Sequence, residues 1–131
     1  MQSDSDSKAS QTTFLHIDLS NMRDLIGNAP DAELRLAELG LSLTRRQTAQ
    51  LLAAAEAGDF AAALSSVRAL GNTMAALHAE RALSILKAVE LFASLQDIAE
   101  LKICAEQLAV ENALVCTNLA GQVARLKSRA M

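Results

Sequence analysis

His16 and His78 are the only imidazoles in this 131-residue chain, and Cys104 and Cys116 are its only thiols. An imidazole moves protons, or forms a covalent intermediate, near neutral pH. A thiol attacks as its thiolate and needs a base or a cation beside it. The sequence places no histidine next to a Ser or Cys nucleophile. His78 and Glu80 stand two apart and do not share a helix face. There is no Glu-x-x-His pair of the kind that builds a di-metal site in a bundle, no Cys/His cluster, no phosphate-cradling glycine loop and no nucleophile elbow. Cys104 and Cys116 are twelve residues apart. On one helix that is about 18 Å, too far to bridge. They read as buried free thiols of a cytoplasmic protein. These patterns argue against an enzyme with a site of its own and point to no metal and no cofactor.

The elements that position these residues are helices. Hydrophobic residues make up 51% of the chain but aromatics only 2%, so Ala and Leu fill the apolar quota and strand formers are scarce. A net charge of −3 with so few stacking side chains argues against nucleic-acid binding. No apolar run approaches the ~18 residues of a membrane span. The start, MQSDSDSKASQTT, lacks the apolar core of a signal peptide, and residues 1–13 read as a disordered polar tail.

One domain is expected over residues 14–131. Leu19, Met22, Leu25 and Ile26 in DLSNMRDLIGN predict a short helix that ends at Gly27-Asn28. Pro30 suits the first turn of the next helix, expected from Asp31 to Glu56 with Leu34, Leu41, Leu51 and Leu52 toward the core. TRRQ at 44–47 has capping-box form and marks a bend or restart. Gly58 stops this helix and Asp59 caps the next. That third helix carries Phe60, Ala63, Leu64, Val67, Leu70, Met74 and Leu77 on one stripe. A fourth begins near Glu80 with Leu83, Ile85, Leu86, Val89 and Phe92. SLQD at 94–97 reads as a loop. The last helix carries Ile98, Leu101, Ala105, Leu108, Val115, Leu119 and Leu126. The expected fold is all-α: an antiparallel up-down four-helix bundle with a short extra N-terminal helix.

With Val67 at the centre of the third helix's stripe, Arg68 falls about 100° away, on its flank. Ala61, Ser65, Asn72 and Ala75 share that outer side. The ordinary reading is a solvated arginine beside the core. His78 lies about 15 Å further along the axis, where a histidine meets the negative end of the helix dipole.

From about Ile17 to Leu119 these landmarks resemble a histidine-containing phosphotransfer (Hpt) domain, the four-helix module of bacterial phosphorelays. IDLSNMRDLIGNAPD resembles the family's entry, and LLAAAEAGDF the helix end and Gly-Asp turn before its active-site helix. The resemblance places the phosphorylated histidine nine residues after that Asp, in His-x-Leu-Lys-Gly-Ser/Thr; the position is Arg68. Leu70 and Thr73 fit. Gly71 stands at the lysine and Asn72 at the glycine. The family's following Leu-Gly-Ala-x-x-Leu-x-x-Leu-Cys-x-x-Leu-Glu is met by Leu77, Ala79, Ile85, Val89 and Glu90, with His78 at the glycine and Ala82 at the first leucine after Ala79. The scaffold landmarks agree and the reactive ones do not. A guanidinium stays protonated and offers no lone pair, so Arg68 carries no phosphoryl group in the family's manner.

The resemblance implies a two-component signalling protein without the usual phosphoacceptor, binding a response-regulator receiver or a sensor kinase. Arg68, Ser65, Gly71, Asn72 and Ala75 form the expected docking face, with Arg81 and Lys87 at its edge. One alternative is an active phosphotransfer protein using His78. Another is a scaffold bundle outside phosphorelays, whose long last helix pairs with a second copy; Asn112, on or near that helix's apolar stripe, is the kind of polar insertion that fixes register. A third is a domain of a larger regulator.

Overall fold

The computed structural model describes residues 30–130. The expected tail (1–13), the helix over 18–28 and His16 lie outside the described residues. Four helices make up a bundle: α1 (Pro30–Ala57), α2 (Phe60–Ala76), α3 (Glu80–Ser94) and α4 (Ile98–Ala130). No strand occurs among the described residues. Each helix packs against its neighbours in the chain, and α4 closes the ring by packing on α1. The predicted boundaries agree within a residue or two, because the apolar spacing that defines each face also defines its length.

All three junctions use one device. The first residue past each turn's helix cap adopts a left-handed conformation: φ is +69° at Gly58, +57° at His78 and +57° at Gln96. The amides then fold back on the helix end. Gly58 N–H donates to Ala55 and Asp59 N–H to Ala54; His78 and Ala79 repeat this onto Ala75 and Met74, and Gln96 and Asp97 onto Ala93 and Phe92. This is the Schellman arrangement, which satisfies the last carbonyls of a helix. Asp59 Oδ1 then accepts from Ala62 N–H at 3.0 Å, and Asp97 Oδ1 from Glu100 N–H at 3.1 Å. Each carboxylate caps the helix that follows it. Ala79 offers α3 no such cap.

One continuous core fills the bundle. Leu51, Leu70, Met74, Leu77, Leu101, Leu108 and Leu119 are its large, fully buried members. The long helices are α1 and α4, about 42 and 50 Å at 1.5 Å per residue, against about 26 and 23 Å for α2 and α3. A Cβ on Gly40 would lie 3.2 Å from a Leu77 methyl and 3.7 Å from one of Leu119. The absent side chain lets α1 meet the α2–α3 turn and α4 at one level. Beyond it, α1 and α4 continue as a pair, linked by Lys127 Nζ and Glu38 Oε2 at 3.5 Å.

Four expectations are corrected. α1 runs through TRRQ without a restart: Thr44 is fully buried in mid-helix rather than at a cap. Ile98 is 38% exposed, since it starts α4 at the outer edge of the turn. Cys104 is buried, but Cys116 is only half-buried. Asn112, expected to fix register against another chain, points into the chain's own bundle. Its Nδ2 donates to Thr48 Oγ1 at 2.8 Å.

Candidate functional site

Helix α2 presents the outer face on which Arg68 sits. Asp59 fixes its start. Ala63, Val67, Leu70, Thr73 and Met74 turn inward. The inward stripe forces the remaining positions outward, and Ala61, Ser65, Arg68, Asn72 and Ala75 are all exposed. Arg68 therefore stands in mid-helix with Ala61, Ser65, Asn72 and Ala75 exposed around it and the half-buried Leu64 one turn before it. Gly71 is half-buried, and a Cβ there would meet nothing within 4 Å. No packing demand holds that position to glycine.

Thr73 sits behind this face. Its hydroxyl is 2.8 Å from Gln47 Oε1 on α1 and 3.2 Å from the Ala69 carbonyl, so it ties α2 to α1. His78 is half-buried at the left-handed turn position. Its backbone closes α2. Lys87 is exposed on α3. Arg81, named above as an edge charge of the docking face, reaches toward α4: its Nε lies 3.4 Å from Glu111 Oε1, and that carboxylate side chain is 6% exposed. Arg81 thus serves at least in part to compensate a buried charge.

A second polar region lies on the inner side of α4; of its members only Asn112 stood out in the sequence, as a polar residue on an apolar stripe. Thr44, Thr48, Glu111 and Asn112 are all buried. Each sits where helical periodicity puts a core residue, and nothing in the sequence says which polar residue on another helix it meets. The oxygens Thr44 Oγ1 and Asn112 Oδ1 are buried without a hydrogen-bond partner. Cys116 lies beside them. Burial pushes its thiol above the ordinary value, against the opposing charge and hydrogen bond of Arg45. Burial likewise raises Cys104, and the Glu100 carboxylate adds to it. Neither thiol is activated toward its thiolate.

Outside the core, α4 exposes Ile103, Val110 and Leu114 at 48, 67 and 40%. Steps of seven and four place them within about 40° of one another around the helix. Among the described residues no group of three or more His, Cys, Asp or Glu is placed to hold a metal ion. No helix described is long and apolar enough to cross a membrane. Comparison of the chain with protein-family models, with curated proteins and with solved structures found no match.

Proposed function

We propose that this protein is a phosphotransfer-type bundle that recognises a partner in two-component signalling through the outer face of α2, with Arg68 acting as a charge where the family carries its histidine. The carrying observation is Arg68 itself: exposed in mid-helix, nine residues after the capping Asp59, and ringed by Ala61, Ser65, Asn72 and Ala75. A receiver's phosphorylation pocket is lined by carboxylates. A guanidinium entering it makes a bidentate, charge-assisted contact, and the small residues around Arg68 let a partner surface come close.

Two backbone features support the family resemblance. Gly58 and Asp59 form the left-handed stop and the cap that the Gly-Asp turn implies. His78 stands where the family's pattern has glycine, and its φ of +57° is the region that glycine enters without penalty. The same geometry weighs against His78 as phosphoacceptor, because the residue is committed to the turn. Consecutive helices joined by such tight turns, with α4 beside α1, are what an up-down antiparallel bundle requires.

The test is titration of the source organism's receiver domains with the full chain. Arg68→Ala is expected to weaken binding roughly tenfold, about 1.4 kcal/mol. Arg68→His should accept radiolabelled phosphate from a phosphorylated receiver. Absence of binding by parent and variants alike overturns the proposal. Label on the parent that vanishes in His78→Gln favours the active-relay reading instead.

A second reading has an observation of its own. The exposed row of Ile103, Val110 and Leu114 on α4 suits pairing with another helix, as a scaffold bundle would use. Light scattering that gives a dimer for the parent and a monomer for Val110→Glu would favour it.

A further inference from the structure

Where α1 and α4 pack, a cavity of about 230 Å³ opens between Thr44, Thr48 and Leu52 on one side and Asn112, Ala113 and Cys116 on the other. Its walls are mostly apolar, yet two of the residues lining it bear buried oxygens that nothing satisfies, Thr44 Oγ1 and Asn112 Oδ1. Thr44 is 0% and Asn112 2% exposed. Unpaired oxygens at such depth are rare and destabilising. Asn112 cannot relieve its own by an amide flip without losing the Nδ2 bond to Thr48.

Arg45 lines both this cavity and a wider groove of about 610 Å³ beside it. Arg46 and Lys127 line the groove as well, and its one carboxylate, Glu38, is paired with Lys127. Three cations against one anion leave this end positive. The combination is therefore an apolar cleft, open to solvent beside the exposed Arg45, Ala49 and Ala113, with two unpaired acceptors buried beneath it and guanidinium groups at its edge. An apolar cavity of about 150 Å³ holds a benzene ring, so this one accommodates a ring with small substituents.

We propose that the α1–α4 cavity binds a small amphipathic acid: a ring-sized apolar body with a hydroxyl at one end and a carboxylate at the other. The hydroxyl donates to Thr44 Oγ1 or Asn112 Oδ1 once a side-chain shift opens either oxygen to the cleft; at Asn112 that shift trades the bond to Thr48 for the bond to the ligand. The ring lies against Leu52, Ala113 and the Cys116 thiol. The carboxylate meets Arg45 and Arg46. The site involves neither Arg68 nor α2, which packs on α1 and α3 and sits across the bundle from α4. It stands or falls separately from partner docking.

The test uses the full chain with 4-hydroxybenzoate as the probe, followed by amide NMR shifts and by the rate at which N-ethylmaleimide alkylates Cys116. Saturable shifts are expected at Thr44, Thr48, Asn112 and Ala113 at millimolar probe, with slowed alkylation of Cys116. Benzoate, which lacks the hydroxyl, and 4-hydroxybenzyl alcohol, which lacks the acid, should each bind roughly tenfold more weakly, the worth of one good polar contact. Ala113→Leu should fill the chamber and abolish the shifts while circular dichroism stays that of the parent. Arg45→Gln, at an exposed position, should cost binding of the acid but not of the alcohol. Shifts that do not saturate, that scatter over the surface, or that persist in Ala113→Leu overturn the proposal. So does a chamber that takes up water only.

Discussion

The two halves of the bundle reach the same packed core by different means. Between α2 and α3 the buried residues are aliphatic, with Thr73 the one exception, and the features of functional interest face outward. Between α1 and α4 the buried set includes Thr44, Thr48 and Asn112, and the cavity is lined by them. The short helices bury the small residues Ala63, Ala82 and Ala93. The long pair encloses polar groups in mid-length and satisfies only some of them. The α2–α3 half is thus a platform for an outer face. The α1–α4 half sets register through Asn112 and Thr48 and retains space inside.

The sharpest way to break this contrast is to ask whether the halves unfold together. Leu70→Ala in α2 and Leu108→Ala in α4, both 0% exposed, should each cost about 2–5 kcal/mol. Denaturant titration followed by circular dichroism should still show one transition, since a single core links all four helices. Separate transitions would mean two independent halves.

The next effect is smaller and concerns only the α1–α4 side. Asn112→Ala removes the bond to Thr48 and should cost about 1–3 kcal/mol in urea unfolding. The paired change Asn112→Leu with Thr48→Val, which removes both polar partners, should recover most of that loss. If the pair stays as weak as the single variant, the polar contact is not what matters there.

Alkaline pH should act on the same half. Both thiols lie on α4, and burial raises both above their ordinary value of 9.0. A raised folded-state value means that the folded chain holds its protons longer than the unfolded one. The stabilisation is therefore full below pH 9.0 and is lost as pH climbs through the folded-state values. The melting temperature should fall above that pH, and replacing both cysteines with Ala should flatten the fall. The smallest effect belongs to the platform: Arg68→Ala should change unfolding free energy by less than about 0.5 kcal/mol. A larger loss would make Arg68 structural and remove the contrast.

Much of the platform was legible in the sequence. The stripe from Phe60 to Leu77 alternates at helical spacing, Gly58 and Asp59 are turn and cap residues by type, and the outward position of Arg68 follows from the stripe by geometry. Gln96 was not legible as a left-handed residue, because its type does not favour that conformation, and His78 was marked only by standing at the glycine of the resembling pattern; the turns require the conformation in order to satisfy helix-end carbonyls. Of the buried polar residues only Asn112 was marked by its place on an apolar stripe. Thr44 reads as a cap residue within TRRQ, and only the burial of α1 against α4 puts it inside.

Among the described residues, the four helices, their ends and most of their inner and outer faces followed from the sequence alone, since each depends on periodicity and on local hydrogen bonding within a few residues. Which polar residues meet was decided by tertiary structure: Asn112 with Thr48, Glu111 with Arg81, and Thr44 Oγ1 left without a partner. Those pairings join residues far apart in the chain, and their geometry depends on how the helices dock, where a shift of one turn would change every partner.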